Sequence, residues 1–317
     1  MVSLNARALK RLEALLQRAE ERQVRSHPIE RGGRFIDCGL AARGGLVAGL
    51  ELARICLADL ADVTITPGEI EGVPCPFIQV FTDFPVEACL ASQYAGWAIQ
   101  DEKFFAMGSG PMRAAAGKEA IFESIGNREE PEQVVGILES RKAPTPGVVS
   151  KIAAACRVAP SAVSLLVAPT ASLAGTIQVV ARSVETALHK LHEVGFDVRR
   201  VVSACGVAPL PPIARNDLAA IGRTNDAILY GARVTLYVKG DDASIDEIGP
   251  RVPSSSSRDY GEPFASIFAR YQNDFYAVDP HLFSPAQVSF QNLETGRVSC
   301  FGAPAPAVMK RSFFDPE

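Results

Sequence analysis

Aromatic residues make up only 7% of the 317 positions, with four histidines and one tryptophan among the scarce types. So few imidazoles leave little material for histidine-based metal centres or for a cysteine–histidine couple. Neither sign of charge dominates: 32 basic residues stand against 36 acidic ones, for a net charge of −4. Neither half is strongly basic, which argues against a binder of nucleic-acid backbone. A membrane-spanning helix needs about 20 largely apolar residues. The richest stretch, 44–63, is interrupted by Glu51, Arg54, Asp59 and Asp62, so no span is expected. The start, MVSLNARALKRLEALLQRAEERQVR, has no apolar core and no small-residue cleavage pattern, so a secretory signal is not expected either.

The seven cysteines (Cys38, Cys56, Cys75, Cys89, Cys156, Cys205 and Cys300) form no CxxC pair and have no histidine at zinc-ligand spacing. Most lie among small apolar neighbours, as in RICLA, EACLA and AAACR, where a thiol acts as a small hydrophobe. They read as reduced structural cysteines of a cytoplasmic protein, with neither a structural metal nor a cysteine nucleophile. His189, His192 and His281 lack the company of a metal site, and Asp241-Asp242 reads as a solvated turn. There is no GxSxG elbow around Ser172 or Ser203, no Walker loop and no complete dinucleotide fingerprint.

The length suggests about two domains. The clearest seam is SRKAPTPG at 140–147, which predicts an N-terminal domain over 1–143 and a C-terminal domain over 144–317, with room for the chain to cross between them. Ser3 is a fitting cap for a first helix whose Leu9, Leu12, Leu16 and Ala19 recur at helical spacing to about Arg22. A small-residue helix is expected over 46–60. DVTITPGEI and PFIQVFTDF read as strands, and VEACLASQYAGWAIQ as a buried helix. KFFAMGSGPMRAAAGKEAIFESI reads as strand, loop and helix. A buried strand over 163–169 precedes one long helix that stops at Gly195. VRRVVSACGVAP and ARVTLYVKG are further strands, SIDEIGPRVPSSSSRDYGEPF a loop or lid, and QVSFQNLETGRVSCFG a hairpin turning at ETG. Strands and helices mixed without regular alternation favour an α+β or irregular α/β architecture.

Three segments carry possible chemistry. On the long helix over 171–191, Leu173, Ile177, Val180, Val184, Leu188 and Leu191 line one side, while Gln178, Arg182, Glu185 and His189 fall in a stripe opposite. Arg182 and Glu185 are i, i+3 neighbours. Such a pair in a cleft can orient an ionised general base, and on a solvated face it is an ordinary ion pair. AMGSGPMRA, with Gly108, Ser109, Gly110 and Arg113, could offer backbone N–H groups to an anion or carbonyl, or could be a structural turn. GRTNDAILYG places Arg223, Thr224, Asn225 and Asp226 together, which suits either the edge of a heterocycle or a capped turn. Trp97 reads as a core anchor.

ACLASQYAGWAI (88–99), FAMGSGPMRA (105–114) and GRTNDAILYG (222–231) resemble signature segments of the methenyltetrahydromethanopterin cyclohydrolase family. TDFP at 82–85, the Arg182-Ser183-Val184-Glu185 helix and the final KRSFF fit the same family, and the resemblance runs over about 5–314. It implies two α+β domains flanking a deep substrate cleft, a homotrimer, and reversible hydrolysis of 5,10-methenyl-tetrahydromethanopterin to 5-formyl-tetrahydromethanopterin without metal or redox cofactor. It also implies Glu185 and Arg182 as the catalytic pair. Ser92, Gln93, Tyr94, Ser109, Gly110, Arg113, Thr224, Asn225 and Asp226 are the implied contacts to the pterin, phenyl or methenyl region. A non-catalytic pterin binder would not need the Arg182–Glu185 pair. A folate-linked cyclohydrolase would be expected to pair a lysine-based site with a dinucleotide-binding dehydrogenase, and no such fingerprint is found here.

Overall fold

The two most continuous apolar runs, VVGILE and VSLLVA, become neighbouring parallel strands inside a six-stranded sheet, buried on both faces as such strands are. The computed structural model describes residues 3–30 and 32–315. Its chain divides into two units. The first comprises the residues up to Asp62 and Glu87–Gln178; the second comprises Val63–Val86 and the residues from Val179 onward. Elements are numbered along the chain.

In the first unit the strands are β1 (Arg25–Pro28), β2 (Arg34–Asp37), β7 (Trp97–Asp101), β8 (Phe104–Ser109), β9 (Val134–Glu139) and β10 (Val163–Ala168). Their order is β1-β2-β10-β9-β8-β7, with β2, β10 and β9 parallel and the outer pairs antiparallel. Successive side chains of a strand point to opposite faces. Ile137 and Leu166 therefore pack with Leu12 of α1 (Leu4–Leu16) and with Leu52 and Ile55 of α2 (Leu46–Cys56). Leu138, Leu165 and Val167 face the other way, against Met112 of α3 (Met112–Ala116) and Val149 and Ile152 of α5 (Pro146–Cys156). The short α4 (Ile121–Ile125) follows α3, and α6 (Leu173–Val180) follows β10. Ser3 does cap α1, accepting from the Ala6 N–H at 3.4 Å.

The position 143/144 falls inside the first unit, in the loop from β9 to α5. There Thr145 caps α5, its hydroxyl accepting from the Val148 N–H at 3.2 Å, and Pro146 takes the first helical position. A strand-to-helix loop and a linker draw on the same Pro- and Gly-rich composition.

The second unit contains β3 (Asp62–Thr66), the two-residue strands β4 (Glu69–Ile70) and β5 (Val73–Pro74), β6 (Phe77–Thr82), β11 (Val201–Pro209), β12 (Arg233–Val238), β13 (Gln287–Asn292) and β14 (Val298–Gly302). Six of these form a sheet of order β14-β13-β12-β11-β6-β3, in which β12 and β13 are parallel. Helix α7 (Ser183–Glu193) packs on β6, β11 and β12. Helix α8 (Asp217–Leu229) lies against α10 (Phe264–Arg270) and α11 (Pro306–Phe313), while α9 (Asp242–Ile248) follows β12. The architecture is α+β. No helix among the described residues is long and apolar enough to cross a membrane.

Four expectations are corrected by the structure. The helix expected over 171–191 is two helices, α6 and α7, broken at Ala181-Arg182. The break is invisible in the pattern because both halves bury the same apolar stripe, with Ile177, Val180, Val184, Leu188 and Leu191 fully buried. VEACLASQYAGWAIQ is not one helix. Val86–Gln93 is a π-helical segment, and the chain then enters β7, where Ile99 points inward while Ala98 and Gln100 point out. GRTNDAIL lies inside α8, whose cap is Asn216, accepting from the Ala219 N–H at 2.9 Å. The serine segment is packed rather than a loose lid. Ser254 donates to the Leu229 carbonyl, Ser257 donates to Asp279 at 2.7 Å, and both serines are buried.

Candidate active site

The break before α7 gives Arg182 and Glu185 distinct places. Arg182, with φ −91° and ψ 9°, is the N-cap, and Glu185 sits in the first turn. The helix starts cleanly: the Thr186 N–H donates to the Arg182 carbonyl at 2.9 Å. The first turn of an 11-residue helix presents backbone N–H groups and the positive end of the helix dipole, a setting that favours a carboxylate. Three of the four residues of the stripe that could have been a solvated face are buried, Gln178, Arg182 (7% exposed) and Glu185 (5%), while His189 is half-buried. A buried arginine and glutamate at a helix start is a costly arrangement for an ordinary ion pair and a useful one for positioning a base.

In the first unit the structure gathers Ser92, Tyr94, Ser109, Gly110 and Arg113. The π-helical segment ends on Ser92 and Gln93, both fully buried. The Ser92 hydroxyl donates to the Cys56 carbonyl at 2.6 Å, and its own carbonyl accepts from the Gly110 N–H at 2.8 Å. Ser109 Oγ lies 3.4 Å from Cys56 Sγ. Gly110 has φ +89°, and a Cβ there would stand 2.6 Å from Ile137 Cδ1, so the position requires glycine. Arg113 is fully buried. Its Nε donates to Glu119 at 2.7 Å and its Nη1 to the Leu90 carbonyl at 2.9 Å, and the guanidinium lies over the Tyr94 and Phe122 rings at 4.9 and 5.4 Å. Arg113 thereby fastens the π-helical segment to α3 and α4.

The polar tetrad of α8 is used largely within its own surroundings. Thr224 Oγ1 donates to the Ala220 carbonyl at 2.8 Å and Asn225 Nδ2 to the Ile221 carbonyl at 2.9 Å. Asp226 is fully buried and accepts from the Phe264 N–H at 2.8 Å, at the start of α10. One turn on, Tyr230 donates to the Glu262 carbonyl at 2.6 Å and accepts from the Gly261 N–H at 3.2 Å. This part of the motif clamps the entry to α10.

Burial pushes the Asp226 carboxyl up to about 7, against the pull of Ser312, the Phe264 N–H and Arg311. Between its ordinary value of 3.8 and about 7, the folded chain holds a proton that the unfolded chain has released. The contribution of this group is therefore present at low pH and is lost as pH rises through that window, by up to about 4 kcal/mol. Asp226→Asn keeps the acceptor for Phe264 without the buried charge. Thermal melts of the variant are expected to match or exceed the parent at pH 8 and to be less stable relative to it at pH 5. A variant melting well below the parent at pH 8 would show that the charge itself is required.

The family model described as cyclohydrolase (MCH) matches residues 3–313. This chain belongs to that family. A relative from Rhodopirellula baltica, named methenyltetrahydromethanopterin cyclohydrolase, is 49% identical over 296 residues, covering 92% of this chain and 89% of its own. Relatives of the same name from Methylobacterium sp. (strain 4-46) and Methanosphaerula palustris are 47% and 44% identical, covering 98% and 99% of this chain and 97% and 99% of their own.

In this cyclohydrolase-family chain some polar groups escaped the sequence reading. Asp37, at the end of β2, is opposed as a charge by burial, yet N–H groups of Gly39, Leu40, Ala41 and Ala42 hold its pKa below the usual carboxylate range. Glu139, at the end of β9, accepts from Gln178 Nε2 at 3.3 Å. Both acids sit at carboxyl ends of parallel strands, where open α/β sheets hold ligands. An acid closing an apolar strand, as in RFID and VVGILE, was the available signal. Lys190 of α7 is also buried. Its ammonium donates to the His281 carbonyl at 2.8 Å, and burial lowers its pKa to about 8.

Proposed function

We propose that this protein hydrolyses 5,10-methenyl-tetrahydromethanopterin to the 5-formyl compound, reversibly, in one-carbon metabolism. The observation that carries this reading is the near-complete match to the cyclohydrolase family. The methenyl carbon is a cationic amidinium carbon between two nitrogens, already electrophilic, so the reaction calls for an activated water rather than a Lewis acid or a redox cofactor. Water forms the new C–O bond as Glu185 takes one of its protons. The tetrahedral adduct then loses its hydroxyl proton to solvent, its C–N10 bond breaks, and N10 receives the proton held by Glu185. One proton is released overall, which balances the lost positive charge. Arg182 holds the carboxylate in place.

Ser92, Gln93, Tyr94, Ser109, Gly110, Arg113, Thr224, Asn225 and Asp226 make up the proposed substrate-binding set. For Arg113 and Asp226, full burial supports action through the segments they fasten. The reading extends to a cytoplasmic homotrimer serving methylotrophic formaldehyde oxidation or methanogenic CO2 reduction, with no nucleic-acid or membrane partner.

The test is turnover by purified protein on the methenyl derivatives of tetrahydromethanopterin and tetrahydrofolate side by side. The methanopterin compound is expected to be favoured in kcat/KM by about 10²-fold or more. The opposite preference would move the assignment to a folate analogue, and tight binding without turnover of either would mean a non-catalytic pterin binder.

A further inference from the structure

We propose that Gly206, in the middle of β11, is a positioning residue for Glu185, setting how closely the first turn of α7 approaches the sheet; this rests on the reading of Glu185 as the base. A Cβ at Gly206 would stand 2.5 Å from Ser183 Oγ, 3.0 Å from Val184 Cγ2 and 3.3 Å from Ser183 Cβ. These two residues open α7 and immediately precede Glu185. Both are fully buried, so neither has solvent to move into. Ser183 could turn its hydroxyl away, but the Val184 contact remains, and a β-branched side chain in a helix has essentially one rotamer.

The strand cannot give way instead. Gly206 is paired with Val80 of β6 on one side and Val234 of β12 on the other, so β11 is held from both edges. Ala204 and Ala208, two residues to either side and on the same strand face, are also small and buried. The helix start is therefore the part that shifts when a methyl group is added. The Val184 contact asks for a shift of a few tenths of an ångström and the Ser183 contact for more, and since a misplacement of about 1 Å can cost on the order of 10²-fold in rate, a carboxylate that takes a proton from a water is sensitive to such a shift. Gly206 has no side chain to touch substrate, so its effect reaches the reaction only through α7.

The experiment compares Gly206→Ala, Ser183→Gly, the double variant, and Gly206→Ala in a Glu185→Gln background, each checked for folding by circular dichroism. Gly206→Ala is expected to lower kcat by about 10–10²-fold with KM changed little, because ground-state binding does not depend on the base. Ser183→Gly alone is expected to remain close to the parent, and in the double variant it restores part of the lost kcat, because it vacates two of the three close atoms and leaves only the Val184 contact at 3.0 Å. In the Glu185→Gln background, Gly206→Ala is expected to add almost nothing, as two changes acting through one group are not additive.

A folded Gly206→Ala variant with parental kcat, or one whose defect is in KM alone, overturns the proposal. If Gly206→Ala does not fold, the double variant decides: folded and active supports the proposal, folded and inactive contradicts it. Retention of turnover by Glu185→Gln itself would instead sink the assignment of Glu185, whatever Gly206 does.

Discussion

Glu185→Gln is expected to lower kcat by about 10²–10⁴-fold with KM nearly unchanged, the loss that would follow if Glu185 is the proposed general base. Glutamine keeps the size of the side chain and can still accept a hydrogen bond, but it cannot take the proton. The site can bear the change structurally. Glu185 lies in the first turn of α7, where backbone N–H groups can meet the amide oxygen of glutamine as they meet a carboxylate. Steady-state kinetics on the folded variant, with substrate binding measured separately, checks this. Near-parental turnover would show that another group activates the water, and the case for Arg182 as its support would fall with it.

Arg113→Met is expected to destabilise the protein by about 3–5 kcal/mol, because a fully buried guanidinium is lost both from a partly exposed carboxylate and from backbone carbonyls that have no solvent to replace it. For a chain of this size that corresponds to a fall of about 5–8 °C in melting temperature. Methionine replaces the aliphatic stem but none of the donors. Glu119 loses its partner at 2.7 Å, the Leu90 carbonyl loses its donor at 2.9 Å, and the Tyr94 and Phe122 rings lose the cation between them. The π-helical segment ending in Ser92 and Gln93 would be released from α3, so binding is expected to weaken as well. Thermal denaturation gives the answer directly. A variant melting within 2 °C or so of the parent would mean that the guanidinium contacts contribute little net free energy.

Local signals were legible wherever they depend on near neighbours in sequence. The Ser3 cap, the apolar runs of β9 and β10, the β13–β14 hairpin with Gly296 at φ +72°, and Gly195 closing the turn after α7 all follow from short-range rules. What could not be read depends on distant partners. The periodicity over 171–191 is continuous across the break, because a helix that stops and restarts in phase buries the same stripe. Whether Ser254 and Ser257 pack is decided by Leu229 and Asp279, 25 and 22 residues away. The burial of Asp226 is decided by α10, and how closely Ser183 and Val184 approach the sheet by Gly206. The motifs mark three segments, while the part each side chain plays depends on what folds against it.

The most direct measurement is the rate at which purified protein removes methenyl absorbance from 5,10-methenyl-tetrahydromethanopterin, with the product isomer identified. Rapid, protein-dependent loss yielding the 5-formyl compound is expected, and a far slower loss with Glu185→Gln. Binding without conversion, or formation of the 10-formyl isomer by cleavage on the other side of the methenyl carbon, would contradict the proposed reaction.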